Sequence, residues 1–170
     1  WASIGYALPG VAIAIGVLLP MGAFDNAVDG FMRAEFGVST GLMISGGIGA
    51  LMIAYVVRFL AISLGAAEAG LGKVTPNVDM AARALGHGPL ATLIKVHLPL
   101  IRGSVLTGAV LVFVDTMKEL PATLVLRPFN FDTLATYVYQ YASDELLEEC
   151  SLAALTIVAA GILPVILLNH

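Results

Sequence analysis

Residues 41–62 read GLMISGGIGALMIAYVVRFLAI, twenty-two residues with one charge, Arg58. An α-helix rises 1.5 Å per residue, so about 20 apolar residues cover the ~30 Å hydrocarbon core of a bilayer. The stretch therefore predicts a membrane-spanning helix. Arg58 stands near one end of it, where its aliphatic stem lets the guanidinium reach the interface. Three more stretches read the same way. Residues 5–24 carry no charge, within an uncharged run that begins at Trp1. Residues 98–117 hold Arg102 near the start and Asp115 near the end, and residues 150–168 are uncharged. Pro9, Pro20, Pro99 and Pro164 fall near helix ends or are tolerated as kinks. The expected fold is all-α, a polytopic bundle of about four transmembrane helices.

Composition supports this. The 170 residues are 59% hydrophobic and 12% charged, with mean hydropathy +0.94, whereas a soluble domain carries about 25% charged residues. The net charge of −4 gives no case for nucleic acid. The single cysteine, Cys150, excludes an intramolecular disulfide and a cysteine-based zinc site. The first residue is tryptophan, with no charged leader or small-residue cleavage site after it. The sequence reads as a piece of a longer protein. Small residues recur at helical spacing at Gly46, Ala50 and Ala54 and at Ala12 and Gly16, which lets helix backbones approach closely in lipid.

The connections differ in charge. Residues 22–40 hold Asp25, Asp29, Arg33 and Glu35. Residues 63–97 hold Lys73, Arg83 and Lys95, with Arg58 and Arg102 at the borders. Residues 118–149 hold two basic and six acidic residues. Lys and Arg concentrate on the cytoplasmic side, so the middle connection is expected in the cytoplasm and the other two outside. The middle one has internal order. Thr75-Pro76 reads as an N-cap followed by proline at the first helical position, and Asp79 suits the helix dipole. Gly86 is a natural stop. Pro89 starts a second short helix, and Leu98-Pro99 is expected to turn the chain into the third span. Such a helix-turn-helix could rest on lipid headgroups or dock a partner.

Here the residues resemble a family. The cytoplasmic loop of ABC-importer permeases has the pattern Glu-Ala-Ala, three residues, Gly, nine residues, Ile-x-Leu-Pro. This chain has Met80-Ala81-Ala82, Gly86 at the right distance, then Val96-His97-Leu98-Pro99. Met80 replaces the usual Glu. Asp79 points about 100° away on a helix and is a poor substitute. Lys118-Glu119-Leu120-Pro121-Ala122-Thr123-Leu124-Val125-Leu126-Arg127-Pro128, followed by Phe131-Asp132-Thr133-Leu134-Ala135-Thr136, is similar to the C-terminal half of ferric-iron ABC permeases. So are Gly5-Tyr6-Ala7-Leu8-Pro9-Gly10 and Val57-Arg58-Phe59-Leu60-Ala61.

The resemblance implies a permease of the bacterial inner membrane. Its partners would be a second permease half, a cytoplasmic ATPase dimer carrying ATP and Mg, and a periplasmic binding protein that delivers ferric ion. It implies an ATPase-coupling loop formed by Asp79, Met80, Ala81, Ala82, Arg83, Gly86, His87, Val96, Leu98 and Pro99. A polyamine, thiamine or phosphonate is the alternative cargo on the same scaffold.

Asp115, Lys118 and Glu119 fall on one helical face and are candidates for a transport path or a structural ion pair. Arg127 and Asp132 join them as outer-face candidates. Pro121 is expected to break the helix there, with Leu124–Leu126 and Phe129–Phe131 as apolar contacts for a segment folding back. Tyr137, Tyr139 and Tyr141 offer hard oxygen atoms but fit an interfacial aromatic belt. Asp144, Glu145, Glu148 and Glu149 suit a helix start. No metal ligands are assigned. Gly70-Leu71-Gly72-Lys73 falls short of a phosphate loop, because Ala67 and Val74 stand where Gly and Ser or Thr are required. Hydrolysis is therefore expected on another subunit, and this chain is not expected to be an enzyme. An ion-coupled secondary transporter is the less favoured class. It calls for charges at mid-membrane, whereas these are expected near the span ends.

Overall fold

The computed structural model describes residues 3–168, with side chains for residues 5–166. Trp1 lies outside this range. The described chain is helical, with ordered breaks. α1 (Ser3–Ala7) leads through Leu8-Pro9 into α2 (Gly10–Phe36), and α3 follows (Ile48–Leu71). The middle hairpin comprises α4 (Pro76–Ala84) and α5 (Pro89–Thr92). A π-helical turn, Leu93–His97, joins α5 to α6 (Leu98–Met117). The chain ends with α7 (Pro121–Leu126), α8 (Leu134–Ser143) and α9 (Leu147–Leu168). Four helical stretches are long and apolar enough to cross a membrane: 10–36, 48–71, 89–117 and 147–166.

The span boundaries differ from the sequence expectation, for local reasons. α2 does not end near Phe24 but runs on through the charged residues to Phe36. Asp29 and Arg33 pair across one helical turn at 2.6 Å. Gly37, at φ +67°, closes the helix in the left-handed conformation. The returning loop is then pinned to α2 by two carboxylates. Asp29 accepts from the Thr40 and Gly41 amides and the Ser39 hydroxyl. The buried Asp25 accepts from the Ile44 and Ser45 amides and the Ser45 hydroxyl. Residues 41–47, expected inside the second span, form this bend, and α3 starts only at Ile48.

The third span is longer than expected. Leu98-Pro99 does not turn the chain. Proline lacks an amide donor and crowds the carbonyl four residues back, and the π-turn before it absorbs the mismatch without ending the helix. Helical backbone is therefore continuous from Pro89 to Met117.

Packing relies on small residues. α6 crosses α3 where Gly108 faces Ala66 and Gly70 faces Ile101 and Ser104. A second core joins Ile13, Ala14 and Val17 of α2 to Ala50, Leu51 and Ala54 of α3 and Ala122 and Leu126 of α7. The expected Ala50–Ala54 face is thus used. Ala12 and Gly16 are exposed, and nothing among the described residues lies within 4 Å of a Cβ built on Gly16. α8 packs on α9. Leu152 and Leu155 of α9 stay largely exposed, as lipid-facing residues do.

Candidate functional site: a mid-depth ion pair and a closed hairpin

Arg58 stands ten residues after Ile48 and thirteen before Leu71, about 15 and 20 Å along the axis. It lies near the middle of α3, not near the end expected of the span 41–62, so snorkelling does not explain it. Its Nη1 donates to the Leu8 carbonyl at 2.9 Å, in the break between α1 and α2. Its Nε lies 2.9 Å from Oε2 of Glu119, an ion-pair distance without hydrogen-bond alignment. Glu119 is 7% exposed and sits in the second break, between α6 and α7.

The surroundings of Glu119 extend the network. Its Oε1 accepts the Ala122 amide at 3.3 Å, in the first turn of α7. The Thr123 hydroxyl donates to the Glu119 carbonyl at 2.7 Å. That uses its one proton, so Tyr55, 2.5 Å from Thr123 Oγ1, is the donor of that pair. Gly10 makes the approach possible, since a Cβ there would lie 2.7 Å from Glu119 Oε1. One guanidinium therefore ties two helix interruptions to the middle of α3. Ionisable groups at such depth pair with one another or with backbone carbonyls, and Arg58 does both.

Asp115 and Lys118 pair at 2.8 Å. Glu119 does not share their face. α6 ends at Met117, and the break turns Glu119 inward while Lys118 stays 63% exposed. The segment after Pro121 folds back as expected. Leu126 is buried and Phe131 packs against the core, but Phe129 is fully exposed. Arg127 and Asp132 pair with each other. Asp132 also accepts from Thr136, beside the Thr133–Thr136 capping box that starts α8. Their visible work is to fix this turn.

The three tyrosines do not converge. The rings of Tyr137 and Tyr141 stack at 4.4 Å, and hydrogen bonding to Tyr141 pushes the Tyr137 phenol up from its ordinary pKa. Tyr139 is exposed. Among the described residues no group of three or more His, Cys, Asp or Glu side chains is placed to hold a metal ion.

The hairpin is closed by its own chemistry. Gly86 adopts φ +78°. The His87 amide bonds the Ala82 carbonyl and the Gly86 amide bonds the Arg83 carbonyl, the paired bonds of a Schellman stop. Thr75 is the N-cap residue by backbone, although its side chain accepts no capping bond. Asp79 is partly exposed but not free. Its Oδ1 lies 2.6 Å from Nε2 of His97, so it ties α4 to the π-turn. Together with Arg83, His87, Pro89 and Thr92 they line a cavity of mixed polarity, about 250 Å3 in volume. Ala82 is buried, whereas Ala81, Arg83, Leu98 and Pro99 are exposed and Val96 is half-buried. Met80, Leu85 and Leu90 are 60%, 79% and 69% exposed. Where a carboxylate was expected, the hairpin presents an apolar surface.

The contacts of Asp25 and of His97 leave no local signal in the sequence. Asp25 escaped because its partners are backbone amides nineteen and twenty residues away. His97 stands eighteen residues from Asp79, and nothing periodic links them.

Four apolar spans, broken helices tied by a buried ion pair and a capped hairpin define a polytopic helical membrane protein. The profile of the family described as "Binding-protein-dependent transport system inner membrane component" matches residues 1–170, and the chain belongs to that family. Its relatives include the Fe(3+)-transport system permease protein FbpB 2 of Haemophilus influenzae, 30% identical over 70% of this chain and 24% of the relative. The Ferric transport system permease protein FbpB of Actinobacillus pleuropneumoniae is 26% identical over 86% of this chain and 21% of the relative. A putative 2-aminoethylphosphonate transport system permease protein, PhnV of Salmonella typhimurium, is 25% identical over 92% and 52%. The chain spans about a quarter of the length of the ferric relatives and about half of the phosphonate relative. Family membership, not charge position, sets aside the secondary transporter: the expectation that charges lie near the span ends fails at Arg58, which stands near the middle of the span 48–71.

Proposed function

We propose that this chain is part of the membrane subunit of an ATP-driven importer that receives ferric ion from a binding protein. The observation that carries the reading is its similarity, over most of its length, to permeases named for ferric transport. ATP and Mg belong to a separate ATPase dimer in this reading, a second permease half completes the path, and the hairpin 75–99 receives the ATPase stroke on the cytoplasmic face. The Asp79–His97 bond and the continuous helix from Pro89 to Met117 support that role, because a push on α4 reaches the transmembrane helix directly. Radio-iron uptake in a strain lacking the gene, with and without the full-length gene restored, tests the cargo. Restoration is expected for ferric ion and not for 2-aminoethylphosphonate; the reverse pattern would establish the phosphonate reading that one relative favours.

The coupling role makes its own prediction. Proline fixes φ near −65°, so Gly86→Pro cannot keep the +78° stop. The variant is expected to assemble and hydrolyse ATP while losing most uptake. Uptake at the parental rate would remove the hairpin from the coupling path.

A further inference from the structure

α4 is held to the rest of its own chain at few points. Ala82 is buried, but space opens on both sides of the helix. A cavity of about 490 Å3 separates Thr75 and Val78, at the start of α4, from Leu100, Gly103 and Ser104 of α6. The smaller one, already described, lies between Asp79 and Arg83 on one side and Thr92 and His97 on the other. Among the described residues, the 2.6 Å contact of Asp79 Oδ1 with His97 Nε2 is the only side-chain hydrogen bond or ion pair that α4 makes.

An ionised carboxylate only accepts, so the imidazole is the donor and its Nε2 carries the proton. The π-turn sets where that donor stands. The Leu98 amide reaches back five residues to the Leu93 carbonyl, so the turn holds one residue more than an α-helical turn, and the orientation of His97 relative to α5 follows from it. Such turns concentrate at functional sites. Asp79 and His97 sit on the two arms of the hairpin, well away from the Gly86 bend. The Schellman stop closes the hairpin at the bend, and the Asp79–His97 bond closes it at the open end.

We propose that His97 is a positioning residue for coupling: its bond to Asp79 makes the two arms move as one body, so that displacement of α4 is passed to the helix 89–117 instead of being taken up by flexing at the bend. A hairpin tied only at its bend spreads at the cost of little packing, because cavities flank α4. Tied at both ends, it cannot spread without breaking a charge-assisted bond. The other charged or titratable groups on these arms are Arg83 and His87, which line the same cavity, and Lys95 of the π-turn. None of them bonds Asp79. The inference deepens the coupling reading and rests on it.

The test uses the full-length transporter with its ATPase and binding protein in proteoliposomes. It reads ferric ions imported per ATP hydrolysed, a ratio that mere loss of folded protein leaves unchanged. Glutamine carries its Nε2 donor as many bonds from the backbone as the imidazole Nε2, whereas the asparagine amide nitrogen stops one bond short. His97→Gln is expected to keep the parental ratio. His97→Asn and His97→Leu are expected to lower it at least several-fold. Asp79→Ala should lower it as much, with no further fall in Asp79→Ala/His97→Leu. A parental ratio in His97→Leu, or equal ratios in His97→Gln and His97→Asn, would overturn the proposal. The second comparison stands even where His97→Leu fails to assemble. Gly86→Pro separates the two readings. Parental uptake in that variant removes the coupling role of the hairpin altogether. Uncoupling there, with parental ratios in both His97→Asn and His97→Leu, removes only the His97 brace. Where the parent imports no ferric ion, the ratio is read with 2-aminoethylphosphonate, and only the ferric assignment falls.

Discussion

Glu119→Ala is expected to destabilise the protein by about 3–5 kcal/mol, because it leaves the Arg58 charge without its partner at membrane mid-depth. Arg58→Ala is expected to cost a similar amount and also frees the Leu8 carbonyl at the α1–α2 break. Glu119→Gln should cost less, since an amide oxygen can still accept the Ala122 amide. The double variant Arg58→Met/Glu119→Leu should recover most of the loss, because replacing both partners with apolar groups removes the desolvation cost along with the attraction. Thermal unfolding of the full-length protein in nanodiscs measures all four. Strict additivity of the two alanine variants would show that Arg58 and Glu119 do not act as a pair.

The sequence made the membrane class legible because a bilayer imposes a length and a polarity that no single residue can disguise. Residues 41–62 could not have been a soluble helix with so few charges. The hairpin was legible for another reason. Thr75-Pro76, Gly86 and Pro89 act on their own backbone, so local chemistry fixed α4, its stop and the start of α5. Span boundaries were harder to read. Hydropathy placed the end of the first span before Asp25, yet α2 continues through Asp25, Asp29 and Arg33, because those charges are satisfied by the loop that returns onto them. The same error in reverse placed Arg58 near a span end. Counting from Gly41 put it towards one edge. Counting from Ile48, where the bend held by Asp25 releases the chain, puts it at the centre.

The same helix breaks shape the candidate site. Helical spacing put Asp115, Lys118 and Glu119 on one face, which holds only while the helix lasts. It stops at Met117, and one residue of break is enough to send Glu119 to Arg58 and leave Lys118 outside. Pro121 announced a break, but no local signal said which way Glu119 would turn. The deciding contact, with Arg58, is sixty-one residues away in sequence. Met80 shows the opposite case. Its departure from the family pattern was visible at once. The structure adds that Asp79 is spent on His97, so the exposed apolar surface of the hairpin is formed by Met80, Leu85 and Leu90.

Gly5→Ala is expected to be the most damaging single-methyl change in the helical contacts. A Cβ at Gly5 would lie 2.2 Å from the Val57 carbonyl oxygen. That atom is backbone of α3 one residue before Arg58, so relief requires moving α1 bodily away and loosening the Arg58–Leu8 bond. Gly108→Ala creates a clash of another kind. The new carbon would stand 2.6 Å from the Ala66 Cβ, a side-chain atom that can be removed. Overpacking of this sort costs about 1–3 kcal/mol. Gly108→Ala should therefore lower the unfolding temperature, and Gly108→Ala/Ala66→Gly should restore much of it by moving the methyl from one helix to the other. No comparable partner exists for Gly5, whose obstacle is a main-chain oxygen. Its destabilisation should exceed that of Gly108→Ala and should be accompanied by loss of the Arg58 contact, read as a smaller additional effect of Arg58→Ala in the Gly5→Ala background than in the parent. An undiminished effect of Arg58→Ala there would mean that α1 can shift without disturbing the mid-depth pair, and that the two breaks are not held by the same residue.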